Sequence, residues 1–155
     1  MITERVGDLL TERDLTHVAH QCNLYHTFGA GLAAQIAVTW AHAHKADKRT
    51  AYGDEAKLGT YSVGVGRPIV VNLYTQRGER VDGVQTDYTA LLRALRALET
   101  DLRGYRADAG IRLGLPYHLG CGVAGGSWPK VYGIIEKVFA ASPVAVVVVR
   151  RAEDA

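Results

Sequence analysis

The stretch "HQCNLYHTFGAGLAAQI", residues 20–36, decides the fold expected for this chain. Residues 16–22 mix β-branched and apolar side chains over the length of a strand, and residues 31–40 place apolar side chains along one side of a helix. Gly29 lies between the two patterns, and Gly31 begins the second. The stretch therefore predicts a strand, a glycine-containing loop and a helix in succession, which is a building unit of α/β proteins.

A second unit of the same kind lies near the end of the chain. Residues 111–117 form a short strand pattern, "GCGVAGG" follows at 120–126, and Ser127 is a suitable cap for a helix with Pro129 in its first turn. If the two strands are neighbours, the two glycine loops enclose a crevice at the carboxyl ends of the strands. Because glycines before a helix can present backbone N–H groups to a phosphate, this arrangement favours a diphosphate ligand.

The remaining segments extend the alternation of strands and helices. Further strands are predicted at residues 2–6, 58–65, 68–74 and 144–149. The clearest helix has Thr86 as its expected N-cap, carries leucines at three-to-four spacing and ends near Gly104. Residues 41–57 are polar and predict a frayed helix end followed by a loop. The expected fold is a single α/β domain over residues 1–155, a three-layer α/β/α sandwich around a mixed sheet of about six strands.

Composition restricts the class of protein. The chain has 155 residues, of which 48% are hydrophobic and 22% charged, and a net charge of +2, so it has no large basic surplus for nucleic-acid phosphates. The longest apolar run, residues 144–149, is too short to cross a bilayer, and "MITERVGDLL" lacks the features of a signal peptide. Cys22 and Cys121 are expected to be free thiols. These features favour a cytoplasmic protein with no membrane contact.

Residues 29–34 also spell the dinucleotide fingerprint G-x-G-x-x-G/A, but their context does not fit it. In that fingerprint the first glycine ends the strand directly, whereas six residues, 23–28, intervene here. The acidic residue expected on the next strand is also missing, since Asp47 and Asp54 lie in polar, helix-like sequence. A redox NAD site is therefore disfavoured. Anion binding and a purely structural turn at Gly29 and Gly31 both remain open.

Three motifs in order resemble the macrodomain family, the ADP-ribose-binding module. They are "VGDL" at 6–9, "HQCN" followed by "FGAGLAAQI" within 20–36, and "LPYHLGCGVAGGSW" at 115–128. The resemblance covers the chain nearly end to end. Within the family, the sequence is most similar to the branch that contains ADP-ribose-1''-phosphate phosphatases and the terminal ADP-ribose protein glycohydrolase. It implies ADP-ribose, a derivative of NAD, as the ligand.

The resemblance also implies roles for individual residues. Asp8 would accept a hydrogen bond from the adenine amine, and Asn23 would hold the hydroxyls of the distal ribose. For both residues an ordinary turn role is the alternative. The expected ligand-binding set consists of two loops and a strand end: Asp8, Leu9, Gly29, Ala30, Gly31, Leu32, Gly120, Cys121, Gly122 and Val123.

The expected chemistry departs from the glycohydrolase of that branch, which uses a lysine nucleophile and an aspartate. Gln76 and Ala124 stand at the matching positions, and neither side chain forms a Schiff base or acts as a carboxylate base. Direct attack by water is expected instead, with Asn23 and His26 as the catalytic residues, His26 moving the proton. A solvent-exposed loop histidine is the alternative for His26.

Gln76, Arg77, Asp87 and His118 are further candidates to face the cleft, and their spacing does not decide the matter. No metal site is expected, because His17 and His20 point to opposite faces of a strand and the side chains of His42 and His44 diverge on a helix. No cofactor is expected either.

The sequence thus predicts a hydrolase that removes ADP-ribose from modified protein side chains, with carboxylate esters as the expected linkage. An ADP-ribose-1''-phosphate phosphatase and a non-catalytic ADP-ribose reader are the alternatives. The expected partners are ADP-ribose and ADP-ribosylated protein, and nucleic acid remains open as a carrier of the ADP-ribose.

Overall fold

The protein is built around one six-stranded sheet. A computed structural model describes residues 1–78, 84–122 and 124–154. The strands are β1 (Ile2–Val6), β2 (His17–Cys22), β3 (Tyr61–Gly64), β4 (Ile69–Tyr74), β5 (Arg112–Pro116) and β6 (Ala145–Arg150), in the spatial order β1-β6-β5-β2-β4-β3. All neighbours pair in parallel except β3, which is antiparallel to β4 at one edge. The predicted mixed sheet is confirmed.

Four α-helices cover the sheet. They are α1 (Gly31–Thr39), α2 (Ala41–Lys48), α3 (Tyr88–Arg103) and α4 (Trp128–Phe139). Leucines of α3 pack with Ile135 and Phe139 of α4 on one face of the sheet, whereas Ile36 of α1 and Ala43 of α2 pack on the other. The chain is therefore a three-layer α/β/α sandwich, as expected.

The sequence patterns explain most of these elements. The leucines of α3 recur every three or four residues and are buried, as a helix face against a sheet requires. The valines of β6 are buried as a continuous run because helices cover both faces of the sheet. Within the described ranges, no helix combines the length and the apolar character needed to cross a membrane.

Two local predictions are wrong. Residues 41–57 were expected to be a frayed helix end and a loop, but they contain α2 and a one-turn 3-10 helix at Glu55–Lys57. The side chains of Ala43 and Ala46 are buried against the rest of the protein, so tertiary packing stabilises a helix that the polar composition did not indicate.

Thr86 is not the N-cap of α3. Asp87 holds that position, and its carboxylate oxygen Oδ1 accepts a hydrogen bond from the Ala90 N–H at 2.9 Å. Thr86 instead forms an isolated bridge with Gln76, and its side chain bonds Gly120. The helix begins one residue later than the sequence pattern suggested.

The position of the two glycine loops follows from the strand order. Loop 1, residues 23–30, joins β2 to α1, and loop 2, whose described residues are 117–122 and 124–127, joins β5 to α4. Because β2 and β5 are parallel neighbours, both loops emerge at the same edge of the sheet. The predicted crevice therefore exists.

Candidate ligand-binding cleft

A cleft lies between the two loops at the carboxyl edge of the sheet. It is a cavity of about 260 Å³, to which loop 1 and the start of α1 contribute Asn23, Ala30, Gly31 and Leu32, and loop 2 contributes Gly120 and Gly122. A second cavity of about 250 Å³ is lined by Asp8 and Leu9. Gly31, Leu32, Pro116 and Tyr117 line both cavities, so the two form one elongated cleft.

The N-terminus of α1 opens into this cleft without a cap. Ala30 occupies the N-cap position in an extended conformation, has no side-chain acceptor, and no acidic residue follows in the first turn. The first N–H groups of a helix have no partner within the helix, so an uncapped N-terminus offers them to a ligand. Together with the helix dipole, they form an anion-binding site.

Charged side chains are absent from the described lining of the cavity at Asn23. Its polar groups are neutral amides, hydroxyls and two imidazoles, and no Lys, Arg, Asp or Glu is among the residues that the structure places there. An anion bound between the loops would therefore depend on backbone N–H groups. In the part of the chain that the structure describes, no group of three or more metal-ligating side chains comes together.

Asn23 lies in the cleft and is only 5% exposed. Its Nδ2 donates to Thr27 Oγ1 at 2.6 Å, and its Oδ1 accepts from the Tyr25 N–H at 2.8 Å. The side chain thus organises loop 1 as an Asx-turn, the alternative that the sequence left open. An amide oxygen accepts two hydrogen bonds, so Oδ1 retains capacity for one more group in the cleft.

The structure places His26 outside the residues that line the cleft. Its Nε2 lies 2.8 Å from the carbonyl oxygen of Thr50, and its ring contacts Tyr52 edge-on with 5.5 Å between the ring centroids. The backbone of His26 has a φ of +58°, which turns this part of loop 1. The Nε2 atom of His26 faces Thr50, and its role in proton transfer stays a prediction.

The other predicted binding residues are distributed unevenly. Asp8 lines the second cavity, where its Oδ1 also accepts from the Leu10 N–H at 2.9 Å. Cys121 turns away from the cleft, packs against the hydrophobic core, and its thiol donates to the Leu119 carbonyl oxygen at 3.4 Å. Gly29 is exposed just before the lining residues, and Val123 lies outside the described residues.

Of the four further candidates, two are in the cleft. Gln76 and His118 line it, whereas Arg77 and Asp87 are not among the lining residues and form an ion pair at 3.4 Å. His118 is exposed, has a φ of +63° and stacks on Tyr117 with 3.9 Å between ring centroids. Non-glycine residues in this conformation carry strain and are enriched at functional sites.

His20 and Gln21 line the cleft, and the sequence did not identify either as a ligand-binding residue. His20 is fully buried, its Nε2 lies 2.7 Å from Asn72 Oδ1, and burial lowers the pKa of its imidazole to about 4. Their position at the end of β2, next to Asn23, was the only available signal. The sequence of β2 does not alternate between polar and apolar residues, because the strand is buried almost throughout, so the sequence does not indicate which face each side chain occupies.

Comparison of the sequence with known proteins identifies a relative in a bacteriophage. No model of a known protein family matches the chain. An uncharacterized 17.5 kDa protein from the tk-vs intergenic region of Enterobacteria phage T4 is 32% identical over 126 residues, which cover 77% of each chain.

Solved structures are similar over almost the whole chain. The macrodomain of Mycobacterium tuberculosis DarG has a TM-score of 0.75 and 23% identity, covering 97% of both chains. Thermosipho africanus DarTG in complex with ADP-ribose has a TM-score of 0.73 and 16% identity, covering 96% of this chain and 41% of that one. The chain therefore has the macrodomain fold. It belongs to the same family as the phage T4 protein.

Proposed function

We propose that the protein binds ADP-ribose in the two-loop cleft and hydrolyses its linkage to modified protein side chains, with carboxylate esters as the substrate class. The observation that carries the proposal is the uncapped N-terminus of α1 facing loop 2 across the cavity at Asn23, whose described lining has no charged side chain. Such a site suits a diphosphate because backbone N–H groups and the helix dipole supply complementary positive charge.

The cleft extends from Asp8 to Asn23, and this elongated shape suits an elongated ligand. The cavity at Asp8 continues into the cavity at Asn23 through shared residues, so one ligand can reach both. In this pose the adenine lies near Asp8, the diphosphate at the N-terminus of α1, and the distal ribose near Asn23. Similarity to DarTG, solved in complex with ADP-ribose, supports the choice of ligand.

Hydrolysis proceeds in this proposal by direct attack of water on the anomeric carbon of the distal ribose. The bond from that carbon to the ester oxygen breaks, the protein carboxylate leaves, and the proton of the water passes to a base. We assign this base to His118, because its imidazole lines the cleft and is exposed to solvent. His20 is buried and its Nε2 is committed to Asn72, so it is the weaker candidate.

A turnover assay on three substrates tests the proposal. Incubation with ester-linked ADP-ribosylated protein should release free ADP-ribose, measured by chromatography, faster than incubation with ADP-ribose-1''-phosphate or base-linked ADP-ribose releases product. His118→Gln should lower kcat by roughly 100-fold and leave ADP-ribose affinity nearly unchanged. Release of phosphate with a higher kcat/KM than ester cleavage would make the protein a phosphatase instead.

A non-catalytic ADP-ribose reader is the second candidate. The specific observation in its favour is that the described lining of the cavity at Asn23 contains no carboxylate and no lysine. Apart from histidine, these are the groups that most often act as a base or a nucleophile. A reader would bind ADP-ribose in calorimetry and turn over none of the three substrates. A flat calorimetric titration would refute both candidates.

A further inference from the structure

A network of hydrogen bonds, which runs from Thr75 through Gln21 and Thr86 to Gly120, holds loop 2 in place. Thr86 Oγ1 donates to the carbonyl oxygen of Gly120 at 2.6 Å, and Gln21 Nε2 donates to Thr86 Oγ1 at 2.9 Å. Thr75 Oγ1 in turn donates to Gln21 Oε1 at 2.7 Å. Thr75 and Thr86 are buried, and all three bonds are at least partly buried.

The donor and the acceptor of each hydrogen bond in this network can be assigned. A carbonyl oxygen only accepts, so Thr86 must give its single hydroxyl proton to Gly120. Thr86 must then accept from the amide nitrogen of Gln21, which leaves the amide oxygen of Gln21 to accept from Thr75. The second N–H of Gln21 donates to Gln76 Oε1 at 2.9 Å. Each side-chain donor of Thr75, Gln21 and Thr86 therefore has an acceptor.

Two glycines of loop 2 pack directly against this hydrogen-bond network. A Cβ at Gly120, whose φ is +72°, would lie 2.9 Å from Gln21 Oε1, and a Cβ at Gly126 would lie 2.5 Å from the Gly120 carbonyl oxygen. The Gly126 N–H donates to that same oxygen at 2.9 Å. In contrast, a Cβ at Gly122 would meet nothing within 4 Å. Gly120 and Gly126 are therefore required by contacts within the protein.

The consequence for the cleft is electrostatic. The Gly120 oxygen carries partial negative charge, and if it faced the cleft it would repel a bound diphosphate. Thr86 and Gly126 both draw this oxygen into the protein, which leaves the cleft side of loop 2 to groups that attract an anion.

We propose that Thr86 is a positioning residue for the ligand: its hydroxyl turns the Gly120 carbonyl out of the cleft and keeps loop 2 competent to bind a diphosphate. The inference rests on the proposed ADP-ribose function and adds a residue that lies outside both glycine loops. Thr86 does not line the cleft, so it acts through Gly120 and does not touch the ligand.

An isosteric substitution tests the proposal. Thr86→Val preserves the shape of the side chain and removes the hydroxyl, whereas Thr86→Ser keeps the hydroxyl. ADP-ribose affinity, measured by calorimetry, should fall roughly tenfold in Thr86→Val and stay within about threefold of wild type in Thr86→Ser. Thr100→Val is the matched control, because the exposed Thr100 hydroxyl donates to the Arg96 carbonyl oxygen within α3 and not to loop 2. It should leave affinity unchanged.

Hydrogen exchange without ligand separates this inference from the proposed function. The Gly126 amide should exchange roughly tenfold faster in Thr86→Val than in wild type, since its acceptor is no longer held. If wild type binds ADP-ribose and Thr86→Val binds equally well, the inference is overturned. If wild type does not bind ADP-ribose, the proposed function fails, and the exchange rate of Gly126 alone decides whether Thr86 positions loop 2. An unchanged exchange rate overturns the inference in either case.

Discussion

Replacing Ala30 by Asp should make the protein more stable and at the same time weaken its binding of ADP-ribose. Ala30 is the exposed N-cap of α1, its backbone already has the extended conformation of a capping residue, and the cap position lacks an acceptor. A carboxylate there can accept from the unpaired N–H groups of the first turn. The same N–H groups are the proposed binding site of the diphosphate.

The magnitudes follow from the geometry of the cap. A side-chain N-cap in place of alanine stabilises a helix by about 1 kcal/mol, and a negative charge at the N-terminus adds about 0.3–1 kcal/mol at an exposed position. In a domain of this size, each kcal/mol raises Tm by about 2–4 °C. The carboxylate also repels the diphosphate and occupies its donors, so affinity should fall at least roughly 30-fold.

Thermal unfolding and calorimetry with ADP-ribose provide the assay. Ala30→Ser is the matched control, because its hydroxyl supplies a cap without a charge: it should gain about 1 kcal/mol of stability and lose less affinity than the aspartate variant. If Ala30→Asp raises Tm and ADP-ribose still binds with wild-type affinity, the N-terminus of α1 does not hold the diphosphate. If Tm does not rise, the N–H groups are not free and the reasoning about the cap is wrong.

Three further outcomes are expected. Asn23→Asp keeps the oxygen that accepts from Tyr25 but removes the amide donor to Thr27 and adds a negative charge beside the diphosphate, so ADP-ribose affinity in calorimetry should drop roughly tenfold; unchanged affinity would contradict the pose that places the distal ribose near Asn23. Burial holds the pKa of His20 near 4, below its ordinary value of 6.5, so the neutral ring contributes stability above about pH 6.5 that is lost as pH falls toward 4. This loss is about 3 kcal/mol, and urea unfolding at about pH 7 and about pH 4 should show a smaller difference in His20→Gln than in wild type. Tyr74→Phe removes the hydroxyl that donates to buried Asp47 at 2.7 Å and should cost roughly 1–3 kcal/mol in urea unfolding while ADP-ribose affinity stays unchanged, a result that affinity loss would contradict.

Sequence patterns determined the local units of this protein. The leucine spacing of α3, the buried valine run of β6 and the glycine loops before α1 and α4 depend on residues close together in the chain, so periodicity and turn chemistry were enough to identify them. The uncapped start of α1 is of the same kind, because the absence of an acceptor at Ala30 can be read from one position.

Tertiary packing decided the rest. His26 and His118 are both loop histidines with a positive φ, and only contacts with distant segments turn the first toward Thr50 and leave the second in the cleft. Thr86 fits the sequence pattern of a helix cap, yet it bonds Gly120, 34 positions away. Local sequence determines which conformations a segment favours, whereas the direction of a loop side chain depends on partners that the folded sheet brings together, and those partners are not encoded nearby.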